Sequence, residues 1–251
     1  MNIELMSRSE KFLLQAEDAL RMGEMNRARA LLRSLSTSKR LDFKFAIQAA
    51  VLARRAQLPE LSLKLLRPLV LRDGKISSFA EDEVKIEYAA ALLDCWAHHD
   101  AERVLSTVNL ERHPRALQFI GFSKFLNWDW LGAQPSLDRY VKSSGLTESM
   151  LLGGKTGLSI CMIHGSGNFK RAEQLLEEVL AKSSPEKHRF HYLNALLHLG
   201  QNQFFLENWD RAIFYLSKIE KECLDPTDEY NVLRVKQWKG LVRFFQGSMN
   251  E

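Results

Sequence analysis

A short motif recurs along this chain and constrains its fold more than any other feature. Residues 23–28, 167–172 and 207–212 share a polar turn, a large apolar residue, two polar residues and an alanine. Each alanine opens an apolar run at helical spacing, and another amphipathic stretch precedes each turn. The repeated unit is therefore predicted to be a helix, a tight turn and a second helix.

Three weaker copies fit the same frame, so that about six units fill most of the chain. Their anchors after the turns are spaced 33, 40, 32, 39 and 40 residues apart: Ala28, Leu61, Ala101, Ala133, Ala172 and Ala212. Helix pairs of this size cannot bury their apolar faces alone, so neighbouring pairs must stack. The surplus residues fall near 72–82, 143–149 and 183–188, which predicts longer loops or extra helical turns there.

The composition favours helices throughout. The chain has 251 residues with only 13 Gly and 6 Pro, while apolar residues make up 45% and charged residues 26%. Asp73-Gly74 could turn a β-hairpin, but polar Lys75 follows it and no paired alternating runs flank it. We therefore expect an all-α fold and no hairpin at this position.

The sixth unit carries the clearest family marks. Leu199-Gly200 lies in its first helix, Phe204 and Trp209 flank its turn, and Ala212 opens its second helix. This pattern resembles the tetratricopeptide repeat family, whose period is about 34 residues. The resemblance implies a right-handed α-solenoid of about six helix–turn–helix units plus a C-terminal helix, in a single domain over 1–251.

The last helix is expected to run roughly from Asp228 to Gln246. It either caps the solenoid or is the first helix of a truncated seventh repeat at 228–251. We favour the second alternative, because Phe244 and Phe245 would be costly on an open end.

Positive charge is concentrated in the N-terminal third of the chain. The whole chain carries 35 Lys/Arg and 31 Asp/Glu, a net charge of +4, which does not imply nucleic acid. Residues 25–72, however, hold eleven basic residues and two acidic ones, and the predicted basic patch comprises Arg27, Arg29, Arg33, Lys39, Arg40, Lys44, Arg54 and Arg55. A solvated face is the favoured interpretation and an acidic protein partner the second. Nucleic acid or an anionic membrane is disfavoured, since direct nucleic-acid binding would usually show regular aromatic interleaving or a known reader module, and this stretch shows neither.

Location is expected to be cytoplasmic. The N-terminus lacks the apolar stretch of a signal peptide, and no run approaches the roughly 18 apolar residues of a membrane span. Cys95, Cys161 and Cys223 lie far apart in apolar helical surroundings, which is typical of reduced, buried thiols.

No residue pattern predicts catalysis, a metal or a cofactor. Residues 149–156 approach a phosphate-binding loop, but Ser149 replaces its first glycine and no strand precedes it. His188, His191 and His198 lie close in sequence, yet no cysteine is near to complete a zinc site. We therefore expect a protein that is not an enzyme.

The resemblance implies that first helices line a concave binding face. On units four to six and the last helix these positions form an apolar, aromatic stripe: Gln118, Phe122, Phe125, Cys161, His164, Leu197, Gln201, Phe204, Gln237, Leu241 and Phe244. Such a stripe can also be simple core. The lysine and asparagine with which some family members clamp a terminal carboxylate are absent, because Leu13, Glu17, Gln118 and Phe122 stand there.

The sequence thus predicts a scaffold or adaptor that binds an apolar protein segment in this groove. Two alternatives stay open: a regulatory or sensor module of a longer protein, and a structural protein that self-assembles through its C-terminal helix.

Overall fold

A computed structural model describes residues 8–22, 24–35, 42–222 and 229–248. Almost all of these residues are helical, which confirms the all-α class. The helices are α1 (Arg8–Arg21), α2 (Met25–Leu35), α3 (Phe43–Arg55), α4 (Pro59–Val70), α5 (Asp82–Asp94), α6 (His98–Leu105), α7 (Arg115–Leu126), α8 (Trp130–Val141), α9 (Glu148–Cys161), α10 (Phe169–Leu180), α11 (Arg189–Phe205), α12 (Trp209–Glu222) and α13 (Glu229–Ser248). Helix α9 continues into a π-helical turn, Met162–Ser166.

A left-handed residue ends the first helix of each described pair from the second to the sixth. These residues have φ between 58° and 65°: Gln57, Trp96, Trp128, Gly167 and Glu207. At several of these turns the next amide donates back across the helix end, as from Leu58 to the Ala53 carbonyl at 2.8 Å. This Schellman arrangement satisfies helix-end carbonyls and reverses the chain within two or three residues.

The chain divides into two compact units, Met1–Asn127 and Trp128–Glu251. Unit 1 contains α1 to α7 and unit 2 contains α8 to α13, so the division falls in the turn of the fourth predicted pair. Within each unit, first helices contact the first helices of the next pair, and second helices contact the first helix that follows them. That is the packing of stacked repeats. The single domain over 1–251 stays a prediction.

Each unit buries its own apolar core. Unit 2 packs Tyr192, Leu196 and Leu197 of α11 against Leu216 and Ile219 of α12. Anchors Ala28, Ala101, Ala133, Ala172 and Ala212 are all fully buried, as the repeat predicts. None of the helices in the described ranges is long and apolar enough to cross a membrane.

The expectation of no hairpin at Asp73-Gly74 was wrong. Strands β1 (Leu71–Arg72) and β2 (Lys75–Ile76) pair antiparallel, with Leu71 opposite Ile76 and Arg72 opposite Lys75. Asp73 and Gly74 both have positive φ, 51° and 75°. That is the requirement of the two-residue type I′ turn. Paired strands of two residues are too short to show an alternating pattern, so the dipeptide was the only signal.

Candidate functional site

Aromatic rings gather along the helix–helix turns of unit 2. We call this set the aromatic edge; it comprises Trp128, Trp130, His164, Phe169, Phe204, Phe205, Trp209, Trp238, Phe244 and Phe245. They come from the turn before α8 and the start of that helix, the π-helical turn, the starts of α10 and α12, the end of α11, and the middle and C-terminal half of α13. Because each repeat places its turn at the same edge of the stack, rings flanking successive turns become neighbours.

The rings form one connected network. Trp130 lies 5.3 Å from His164, and His164 meets Phe205 edge-on at 5.5 Å. Phe205 stacks on Phe169 with centroids 6.2 Å apart. Edge-to-face and stacked pairs at these separations are each favourable by about 0.5–1.5 kcal/mol beyond their burial. The rings therefore form one continuous layer rather than a set of independent side chains.

Phe204 joins the network to the last helix. Its ring lies 5.5 Å from Trp209, 5.4 Å from Trp238 and 5.5 Å from Phe245. Phe244 in turn meets Phe245 at 5.4 Å. Phe204 is therefore an internal support of the edge.

Several members of the edge remain open to solvent. Trp128 is 76% exposed, Phe244 68%, Phe245 41% and Phe205 40%. Large exposed rings that are contiguous with a packed aromatic layer are typical of interaction surfaces.

His164 enters the edge because of the π-helical turn. The widened turn brings the backbone of Gly165 against α8, where an added Cβ would lie 2.9 Å from Cβ of Trp130. Burial lowers the pKa of His164, against a hydrogen bond with Gln201 that raises it. The ring is thus held mainly neutral near pH 7, as suits an aromatic contact.

A buried polar group lies on α11 near the same histidine. Nδ1 of His198 lies 2.8 Å from Oε1 of Gln201, and both side chains are buried. Burial lowers the pKa of His198 from 6.5 to about 3, and the positive charge of Arg234 acts in the same direction. This histidine stays neutral in the folded chain throughout the physiological pH range.

The depressed pKa of His198 predicts acid sensitivity. In the unfolded chain His198 becomes protonated below about pH 6.5, whereas in the folded chain it becomes protonated only near pH 3. The free energy of unfolding therefore falls as pH drops through this window. The slope is at most about 1.4 kcal/mol per pH unit for one group. Urea midpoints measured between about pH 6.5 and 4.5 should therefore fall more steeply for wild type than for His198→Gln. Exposed His99 supplies the control His99→Gln; parallel curves for wild type and His198→Gln would contradict the assignment.

The predicted groove residues are divided between the two units and differ in how far they are buried. Gln118, Phe122 and Phe125 are half-buried on α7 of unit 1, with the two phenyl rings 6.4 Å apart. In unit 2, His164 and Phe204 join the aromatic edge, while Gln237 and Phe244 are exposed and Leu241 is half-buried.

Three predicted groove positions are not open to a partner. Leu197 is 1% exposed and Gln201 is 4% exposed, because α11 is enclosed by its neighbours in unit 2. Cys161 is fully buried, and burial raises the pKa of its thiol to about 12. A middle helix of a stack presents few residues to solvent, which periodicity alone does not reveal.

The predicted basic patch is partly engaged in internal contacts. Arg29 donates to the Ala56 carbonyl at 2.9 Å, and Arg27 pairs with Glu24 at 2.8 Å. Arg54 lies 3.4 Å from the buried carboxylate of Glu87. Lys44 and Arg55 are exposed, as is Arg33; Lys39 and Arg40 lie outside the described residues.

Neither of the alternative chemical constellations is assembled. Residues 149–156 lie within α9, and Lys155 pairs with Glu178 of α10. His188 and His191 are neighbours, with ring centroids 6.0 Å apart, whereas His198 is buried against Gln201. Across residues 8–22, 24–35, 42–222 and 229–248 no three His, Cys, Asp or Glu side chains cluster as metal ligands would.

Sequence reasoning missed most of the aromatic edge. Trp130, Phe169, Phe205, Trp209 and Trp238 were not among the predicted site residues. Their common signal is position, since four of the five lie within three residues of a first-to-second helix turn. A search for aromatic residues at the turns, rather than along the first helices, would have found those four but not Trp238.

Comparisons with known proteins bear on the fold. No family model matches the chain, and no curated protein matches it. The structure described as the functional characterisation of Pseudomonas aeruginosa pilF is 13% identical, with a TM-score of 0.59, and the match covers 92% of this chain and 96% of that one. A tetratricopeptide repeat protein from Parabacteroides merdae is 12% identical, with a TM-score of 0.48, over 94% of this chain and 98% of that one. At such identities the likeness concerns the fold alone.

Proposed function

The chain has the tetratricopeptide-repeat fold, and on this fold we propose that it is a protein-interaction module whose aromatic edge holds an apolar segment of a partner. The segment is an apolar helix or an extended stretch with bulky side chains. The proposal assigns no catalytic role to any residue.

The exposed rings of the aromatic edge carry this proposal. Trp128, Phe205, Phe244 and Phe245 keep 40% or more of their surface in water although they adjoin a packed layer. Aromatic side chains are enriched at the energetic centres of protein interfaces, because they bury a large area at a low cost in conformational entropy. An apolar segment would remove these rings from water without disturbing the network beneath them.

A selected peptide tests the proposal. Peptides from a random displayed library are selected on the wild-type protein, and their affinity is then measured against Phe205→Glu/Phe244→Glu. A carboxylate placed among the rings must be desolvated on binding, so we expect affinity to fall at least about thirtyfold, as for a hot-spot loss of ~2 kcal/mol. Phe204 is left intact because its ring supports the layer.

The matched control is Phe190→Glu/Phe214→Glu. These two phenylalanines are 73% and 61% exposed in unit 2 and lie outside the aromatic edge. Both double variants change the charge equally, and circular dichroism establishes that both stay helical. Equal losses in the two variants, or selected peptides without apolar residues, would count against the aromatic edge.

Self-assembly through α13 is the second candidate function. Leu233 and Phe244 of this helix are 66% and 68% exposed, so a second copy could cover them. Sedimentation of the same proteins distinguishes the two: a mass that rises with concentration in wild type and stays monomeric in Phe205→Glu/Phe244→Glu supports self-assembly. If the chain is instead a sensor module of a longer protein, the same loss of peptide affinity is expected for Phe205→Glu/Phe244→Glu. That alternative differs in requiring an effector domain in the longer protein.

A further inference from the structure

The β-hairpin of unit 1 separates two recesses. The first has a volume of about 590 Å³ and lies between the hairpin and α4, where Leu63 and Pro68 contribute its apolar surface. The second, of about 310 Å³, extends towards α6, with Leu92 and Val104 in its lining. Leu71, Gly74 and Tyr88 line both, so the two recesses adjoin across the hairpin.

Unpaired positive charge surrounds these recesses. Lys64 and Arg67 of α4 line the first recess and Lys75 lines the second. Arg72 stands directly opposite Lys75 in the hairpin register, an arrangement of like charges that disfavours pairing. Within the described part of the chain, none of these four basic groups forms an ion pair with a carboxylate.

The acidic residues nearby offset this charge only in part. Glu60 lines the first recess and Asp73 lies in the hairpin turn. Asp100 lines the second recess, but its carboxylate lies 2.6 Å from the guanidinium of Arg103 and is therefore already in an ion pair. Four basic groups against two available carboxylates leave a net positive surface that an anion would stabilise.

Tyr88 adds a directional group to the same place. Its side chain lines both recesses although the residue is only 7% exposed. In the ranges that the structure describes, its hydroxyl makes no hydrogen bond. A phenol at the junction of two basic recesses can donate to an incoming carboxylate.

We infer that the hairpin recesses of unit 1 bind an extended acidic peptide segment, whose carboxylates meet Lys64, Arg67 and Lys75 while alternate apolar side chains enter the recesses. Side chains of an extended strand alternate between its two faces, which matches a basic rim above an apolar lining. The site is separate from the aromatic edge, so either can exist without the other.

The recess lining favours a peptide over a nucleic acid. Single-stranded nucleic acids are held by stacking on exposed aromatic rings as well as by charge. Among the described lining residues the one aromatic ring is that of Tyr88, which is buried and cannot receive a base.

Fluorescence polarisation tests the inference with two short labelled peptides. In the acidic peptide glutamate alternates with leucine, and in the basic peptide lysine replaces each glutamate. Wild type is expected to bind only the acidic one, and more weakly as salt rises. Arg67→Glu/Lys75→Glu should weaken binding by about tenfold or more, since two attractive contacts become repulsive. The affinity of the neutral double variant Arg67→Gln/Lys75→Gln should lie between those of wild type and Arg67→Glu/Lys75→Glu.

The control is Arg139→Glu/Lys182→Glu, which changes the net charge equally at exposed positions of unit 2. It should bind the acidic peptide within about twofold of wild type. The inference is overturned if the acidic peptide shows no saturable binding to the wild-type protein, or if both charge-reversal variants lose the same affinity for it. It is also overturned if labelled single-stranded DNA binds and the acidic peptide does not. Because Phe205→Glu/Phe244→Glu should bind the acidic peptide normally, failure here is distinguishable from failure of the proposed function.

Discussion

Replacing Leu216 with alanine should lower the free energy of unfolding of unit 2 by about 3 kcal/mol, within the usual range for a fully buried leucine. Leu216 is fully buried, and its Cγ lies 2.9 Å from where a Cβ on Gly200 would stand. Gly200 therefore lets α11 approach α12 closely, and Leu216 fills the space that this approach leaves. Truncation would open a cavity that two rigid helices cannot close.

Urea denaturation followed by circular dichroism measures this loss. The control is Leu233→Ala, on the surface of α13 with 66% exposure, which should change stability by less than about 0.5 kcal/mol. A Leu216→Ala protein as stable as the control would show that the α11–α12 contact is not the centre of the unit 2 core.

Removing both guanidinium partners of Glu87 should cost unit 1 about 3–5 kcal/mol. Glu87 is a carboxylate on α5 with 5% side-chain exposure, held by Arg54 of α3 at 3.4 Å and by Arg115 of α7. Both guanidinium groups also lie over the ring of Phe119, at 5.9 and 5.4 Å from its centre. In Arg54→Met/Arg115→Met the buried charge is left without a partner.

Removing the Glu87 carboxylate as well should recover the lost free energy of unfolding. Arg54→Met/Glu87→Met/Arg115→Met replaces the three charges by apolar side chains of similar length, and such replacements are often neutral or stabilising. Arg55→Met, at the exposed neighbouring position, should have little effect. Chemical denaturation of the four proteins checks the series; a double variant that matches Arg55→Met would show that Glu87 is solvated.

Periodicity predicted the helical framework because burial in a helix repeats every three to four residues. The anchors from Ala28 to Ala212 fell at the start of second helices, and α13 was expected at about 228–246 against the observed Glu229–Ser248. The hairpin escaped prediction since two-residue strands have no period to detect. Its turn conformation depends on two residues with positive φ, which Asp73-Gly74 allows but does not require.

The candidate site was less predictable than the fold. Arg54 was assigned to a solvated basic patch, whereas it pairs with a carboxylate 33 residues away on the next first helix. Leu197 was assigned to a groove, whereas the neighbouring helices enclose it. Both errors concern partners on other helices, and no local pattern records which side chain will face which.

The sequence by itself determined which segments are helical, where the turns lie and that the pairs must stack, because these follow from local spacing and from the need to bury apolar faces. Only the tertiary structure decided which rings form the aromatic edge and which basic groups stay unpaired around the hairpin. Those outcomes depend on how far successive helices approach one another. That distance is set jointly by glycine, alanine and ring contacts between helices, such as that of Gly200 on α11 with Leu216 on α12.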